Sequence, residues 1–201
     1  MLVVVGGHTR NIGKTSVICS IIRAFPQQRW TAIKITQYGH GVCSTDGSDC
    51  GCAVPDHPYA INKELDPSQG TDTSRYLAAG AGRSYWARTA QGCLAEVIAP
   101  LRFLWDAPGY TIVESNSVLQ FVKPDLYLSV LDFRNPDFKP SILRYLDRAD
   151  ALIAVSDSPP AWQGVAESLW RNKPLFRVDP PEYFSPELKA FLDPPLQPAN
   201  N

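Results

Sequence analysis

The string GGHTRNIGKTS, residues 6–16, follows the apolar run LVVV and leads straight into a segment with helical spacing of apolar residues. A glycine-rich turn between a strand and a helix N-terminus gathers backbone N–H groups and the positive end of the helix dipole at one point, which is a ready site for phosphate. The chain is therefore committed to a strand–turn–helix unit at its start. In the common pattern G-x-x-x-x-G-K-S/T four residues separate the glycines. Here five separate Gly7 from Gly13, and His8 stands where the first glycine is expected. A histidine is tolerated there when its backbone torsion is ordinary. On this reading the loop holds the phosphates of a nucleoside triphosphate, GTP or ATP. The backbone of Thr9, Arg10, Asn11, Ile12 and Gly13 would surround them, and Lys14 would reach the β- and γ-phosphate oxygens. Thr15 would ligate Mg²⁺, and Ser16 would approach the α-phosphate.

Beyond the loop, short apolar β-branched runs alternate with longer helical segments. That alternation predicts an α/β fold: a mostly parallel sheet flanked by helices, three layers in all. The expected strands are LVVVG, WTAIKIT, RSYWART, YTIVES, DLYLSVLD, ALIAVSD and PLFRV. Helical spacing is expected over 14–25, 71–81, 93–105, 141–149 and 162–170. Residues 37–70 show neither periodicity and read as a long functional loop, rich in glycine and cysteine. One nucleotide-binding domain is expected over 1–182, with 37–70 as its insertion. Several of the 18 prolines cluster after Pro180, so 183–201 reads as a loosely packed tail.

A formal net charge of -1, from 19 basic and 20 acidic residues, offers no broad field for nucleic acid or an anionic membrane. Charged ligands must be held locally. The start MLVVVGG lacks a basic flank and reads as a first strand, and no stretch approaches a membrane-spanning length. Five cysteines, three of them crowded into one loop, do not form the even framework of a secreted chain, so a cytoplasmic location is expected.

A phosphate loop needs an acid at the end of a neighbouring strand. Glu114, which ends YTIVES, is the candidate, because a carboxylate closing an apolar strand is costly unless a cation or hydrogen-bond donors meet it. It would serve Mg²⁺ directly or through water, or orient the attacking water. The alternative is a carboxylate that caps the following turn. Asp72, in GTDTSRYLAAGA, is either a further catalytic acid or a first-turn acid favoured by the helix dipole.

Three strings taken together, AIKITQ, GTDTSRYLAAGA and TIVESNS, resemble the B-type protein of molybdopterin-guanine dinucleotide biosynthesis. The resemblance runs from Leu2 to about Asp157, and the Asp-Thr-x-Arg segment gives it most of its specificity. The matching positions are Lys14 and Thr15 in the loop, Lys34 on the second strand, Asp72 with Arg75, and Val113 with Glu114. The resemblance implies a GTP-binding, Mg²⁺-dependent accessory protein, usually a homodimer, whose partner is a cofactor-biosynthesis enzyme. It also implies the wider class that includes metal-inserting GTPases and small-molecule kinases. No N-K-x-D string is present to read guanine. AVSD, with Ser156 and Asp157, either seats a base at the sheet edge or is an ordinary strand exit.

Three functions follow. The first is a slow nucleotide hydrolase serving cofactor maturation, slow because no finger arginine stands out. The second is a metal-handling GTPase. The third is a kinase in which Arg75, Lys34 or Arg10 binds an acidic acceptor. The second draws on Cys43, Cys50, Cys52 and His57, with His40 in reserve. Three thiolates and an imidazole make a closed tetrahedral set for Zn²⁺, and Gly51 lets two sulfurs face one ion. An iron–sulfur cluster and free thiols are the alternatives. Protein purified without added metal is expected to hold stoichiometric zinc by elemental analysis and to lose it in Cys50→Ser and Cys52→Ser. Substoichiometric metal that these substitutions leave unchanged would rule the site out.

Overall fold

The computed structural model describes residues 1–38, 59–156, 158 and 162–196. Among the described residues eight strands form one sheet: β1 (Leu2–Gly7), β2 (Thr31–Tyr38), β3 (Tyr59–Glu64), β4 (Arg83–Ala90), β5 (Thr111–Glu114), β6 (Leu126–Leu131), β7 (Ala151–Ala154) and β8 (Leu175–Arg177). Their order is β3-β4-β2-β5-β1-β6-β7-β8. Every pairing is parallel except β3 with β4. The helices are α1 (Lys14–Ala24), α2 (Asp72–Ala78), α3 (Leu94–Trp105), α4 (Pro140–Leu143) and α5 (Pro186–Leu196). None of the described helices is long and apolar enough to cross a membrane.

The central runs are apolar without alternation because both faces of their strands are covered. Val3 and Val5 of β1 point into a core shared with Val17, Ile18 and Ile21 of α1, Tyr76 of α2 and Leu188 of α5. Val4 points the other way, into a core with Val97 and Leu101 of α3 and Ile142 of α4. The period of two along β1 thus divides the molecule into helix, sheet and helix layers.

Four expectations need correction. The stretch read as a loop from residue 37 begins as the end of β2, and its far part is strand β3, which pairs antiparallel with β4. YAINKE is a half-exposed edge strand with polar residues on it, so it lacks the apolar run that marks a buried strand. The helix expected over 141–149 is broken into α4 and a 3-10 turn at Leu146–Arg148. The helix expected over 162–170 is only a 3-10 turn at Glu167–Leu169, with Gly164 at φ 73 interrupting the segment. There the tryptophan spacing serves an aromatic cluster: Trp162 packs on Phe133 and Phe138, and Trp170 on Phe133.

The fourth correction concerns the tail. Residues 186–196 form α5, and Leu188, Leu192 and Leu196, spaced at i, i+4 and i+8, are buried against α1 and β1. Pro186 occupies the first helical position, where no N–H is needed, and Ser185 Oγ accepts the Leu188 N–H at 3.2 Å. The Gln28 side chain donates to the Leu196 carbonyl at 2.6 Å, which fastens the end of α5 near the start of β2. Proline density therefore marked a helix start and a helix end in this segment. Leu192→Ala is expected to lower unfolding free energy by about 2–5 kcal/mol in denaturant titration. A loss below about 0.5 kcal/mol would mean that α5 lies outside the core.

Candidate functional site

The loop between β1 and α1 is shaped by two left-handed residues, Asn11 at φ 56 and Gly13 at φ 90. Gly13 also has no room for a side chain, since a Cβ would lie 2.5 Å from the Tyr183 ring. Gly7 is tied down through both of its backbone polar groups: its N–H donates to Asn116 Oδ1 at 2.9 Å and its carbonyl accepts from Asn116 Nδ2 at 2.8 Å. The first turn of α1 carries no side-chain cap. Its N–H groups are thus left to a ligand in the loop, as a phosphate site requires.

His8 keeps an ordinary backbone torsion and is buried. Its N–H donates to the Val130 carbonyl at 3.2 Å and its own carbonyl accepts from Lys139 N–H at 2.9 Å. The ring lies against Phe138 and Trp162, with Nδ1 accepting from the Asp132 N–H at 3.4 Å. That assigns the proton to Nε2, which donates to the Asn135 carbonyl at 3.3 Å. Burial pulls the His8 pKa below its ordinary value, against the Asn135 hydrogen bond and the Asp132 charge, so the ring is a neutral anchor. The histidine in place of the first glycine is accommodated by seating its ring in the aromatic cluster.

Lys14 lies across the loop and donates to the Thr9 carbonyl at 2.7 Å. Burial lowers its pKa, with Glu114 opposing. Thr15 Oγ1 donates to Glu114 Oε2 at 2.8 Å. The register explains the meeting, because Glu114 ends β5 directly beside Val5 of β1 and Lys34 of β2. Glu114 is buried, and the fully buried Tyr76 hydroxyl also donates to it. Lys34 Nζ stands 3.7 Å from Glu114 Oε1 and makes a close ion pair with Asp72. Burial works against the Lys34 charge, but Glu114 and Asp72 outweigh it and raise its pKa. Burial likewise pushes the Asp72 pKa up, and Lys34 overcomes it, holding the carboxyl below its usual range. Arg75, one turn further along α2, donates to Ser16 Oγ at 2.9 Å and faces Asp72 Oδ1 at 3.6 Å.

These residues line a cleft of about 760 Å³, within the size of ligand sites generally. Arg10, Asn11, Ile12, Gly13, Lys14, Thr15, Ser16, Lys34, Asp72, Arg75 and Glu114, all singled out from the sequence, face it together. Thr9 takes part only through its carbonyl, because its hydroxyl is turned to Asp137. Five basic side chains and two carboxylates line the cleft, so a nearly neutral chain concentrates positive charge at one place. Ser156 Oγ accepts the Phe133 N–H at 3.1 Å, while Asp157 lies outside the described residues.

Asn116, Tyr76, Lys139 and Tyr183 belong to the site and were not singled out from the sequence. Asn116 and Tyr76 do sit inside the strings TIVESNS and GTDTSRYLAAGA. Cys43, Cys50, Cys52, His57 and His40 lie outside the described residues. Among the described residues no cluster of histidine, cysteine or carboxylate residues could hold a metal ion of the zinc type. Cys19 is buried, donates to the Arg75 carbonyl at 3.5 Å, and has its thiol pKa pushed up to about 11 by burial, which suits packing rather than reactivity.

No family model and no curated protein matches the chain. Among solved structures it is similar to HypB from Helicobacter pylori in complex with nickel, with a TM-score of 0.51 and 13% identity over 99% of this chain and 90% of that one. It is also similar to the "apo" form of LpxK from Aquifex aeolicus in complex with ATP, with a TM-score of 0.47 and 15% identity over 88% of this chain. The chain spans about half of LpxK, 53% of its length. Likeness at such identity bears on architecture. With the strand order and the loop geometry, it gives this chain the α/β fold of P-loop NTPases.

Proposed function

We propose that the chain binds a nucleoside triphosphate with Mg²⁺ and hydrolyses it slowly, as an accessory protein in the maturation of a cofactor of the molybdopterin-dinucleotide kind. The observation behind this reading is the Thr15 to Glu114 hydrogen bond of 2.8 Å at the N-terminus of α1. Two oxygen ligands stand side by side beneath the phosphate loop, which fits an ion that takes few protein oxygens and keeps its waters. Thr15 and Glu114 would hold Mg²⁺, directly or through water, and the ion would neutralise charge on the phosphates.

The chain's own residues do the rest. Lys14 exchanges the Thr9 carbonyl for β- and γ-phosphate oxygens, and the uncapped N–H groups of α1 face the same phosphates. Lys34 pairs with Asp72 and Glu114 and holds both carboxyl groups in place. Arg75 orients Ser16 toward the α-phosphate. Water attacks the γ-phosphorus, the bond to the β–γ bridging oxygen breaks, and nucleoside diphosphate and inorganic phosphate leave. Slow turnover follows from the contacts of Glu114, whose oxygens already receive Thr15, Tyr76 and Lys34 and leave little free to orient the water.

The specific role comes from the strings AIKITQ, GTDTSRYLAAGA and TIVESNS, as do homodimer formation and a cofactor-biosynthesis partner. The cysteine loop would add a structural or delivered metal within the same account. A small-molecule kinase is the second reading. It is favoured by the extension of the cleft along Thr36, Gln37 and Gln91, beyond the phosphate loop. Only a kinase passes phosphate stoichiometrically to an added acceptor. In Glu114→Gln, triphosphate affinity is expected to stay within about threefold while phosphate release falls by roughly tenfold or more, measured by titration and by single-turnover assay. Phosphate release at the wild-type rate would give Glu114 a purely structural role.

A further inference from the structure

We infer that Lys139 is a second cationic contact for the terminal phosphate, and that it makes the cleft discriminate nucleoside triphosphate from diphosphate. The inference rests on the nucleotide reading above and adds a residue to it. Lys139 precedes Pro140 and takes the extended backbone that a following proline favours, at φ -66 and ψ 140. Its N–H donates to the His8 carbonyl at 2.9 Å, so its backbone is fastened to the phosphate loop itself. Lys139 lines the cleft.

Every other charge in the cleft that could neutralise Lys139 is engaged. Glu114 receives Thr15, Tyr76 and Lys34, and Asp72 receives Lys34 and Arg75. The neighbouring Asp137 accepts from the Thr9 hydroxyl. Among the described residues the Lys139 ammonium has neither a hydrogen bond nor an ion pair. Burial, and then the charges of Lys14 and Arg10, pull its pKa down to about 8, with Asp137 and Glu114 opposing. A half-buried cation set beside two others is unfavourable until an anion enters between them. A polyphosphate is such an anion.

Direction decides which phosphate it meets. Ser16, in the first turn of α1, marks the α-phosphate end, and Lys14 with the loop marks the middle. A triphosphate seated there would run its other end away from α1, toward Asn116, Ser117 and Lys139, which line the same cleft. Lys139 stands on the face of the sheet that carries α4, opposite α1, since Ile142 of α4 and Ile18 of α1 belong to different cores. It therefore supplies from within the chain the positive charge at the γ-phosphate that no arginine in the sequence offered.

The test compares the full chain with Lys139→Met, which keeps the apolar stem, and Lys139→Arg, which restores the charge. Each is titrated in Mg²⁺ with imido-bridged adenosine and guanosine triphosphates, which resist hydrolysis, and with the matching diphosphates. In Lys139→Met, triphosphate affinity is expected to fall by roughly tenfold or more and diphosphate affinity by less than about threefold, with most of the loss recovered in Lys139→Arg. Equal losses for both ligands, or none for either, would overturn the role of Lys139 while leaving nucleotide binding intact. If the wild-type chain binds none of the four ligands, the nucleotide reading itself falls and the inference with it.

Discussion

A buried carboxylate at the end of a central strand organises this molecule. Glu114 ends β5 at 6% exposure, where an ionised group without partners would cost several kcal/mol. Three partners from three elements meet it: Thr15 from α1, Tyr76 from α2 and Lys34 from β2. Removing any of them leaves the carboxylate short of a donor. The same network fixes the entry of α2, because Lys34 also holds Asp72, the first residue of that helix. Structural need and the placement of the oxygens proposed for Mg²⁺ are thus met by one set of contacts.

The phosphate loop is held from the opposite side by different means. Asn116, just past Glu114, pairs with both the N–H and the carbonyl of Gly7. His8 is buried as a neutral ring among Phe138, Trp162 and the Asn135 carbonyl. These anchors let a loop with histidine in place of its first glycine keep its N–H groups turned toward a ligand. They also bring Lys139 to the loop through the His8 carbonyl. Positive charge gathers at the cleft although the whole chain is close to neutral, so attraction for an anion is a local property.

Much of this was legible in the sequence for definite reasons. VVV, TIV and LIAV announced strands buried on both faces, and GGHTRNIGKTS announced the loop because its glycines and lysine sit at fixed offsets from a strand and a helix. Glu114 stood out because a charge closing an apolar run needs a partner, and Asp72 because it opens a helix after the long loop. β3 was hidden because an edge strand such as YAINKE pairs on one side and needs no apolar run. α5 was hidden behind prolines. Pro186 stands at its first position, where no N–H is needed, but Pro194 and Pro195 stand in its last turn, where each removes a backbone hydrogen bond. The buried leucines thus hold a helix that local propensity opposes. Tyr76, Asn116 and Lys139 act through contacts that close only when distant elements pack, and no local spacing encodes those contacts. The tryptophans at 162 and 170 had helical spacing yet serve an aromatic cluster, a case of tertiary packing overriding periodicity.

The central claim is that Thr15, Glu114 and the loop form a site made ready for a Mg²⁺-triphosphate before the ligand arrives. Calorimetric titration of the wild-type chain and of Lys14→Ala with triphosphate, with Mg²⁺ present and with Mg²⁺ chelated, tests it most directly. The account predicts saturable binding at one site per wild-type chain, weakened by roughly tenfold or more when Mg²⁺ is removed and again when Lys14 is removed. Binding that is absent in the wild-type chain, or indifferent to both Mg²⁺ and Lys14, would contradict it.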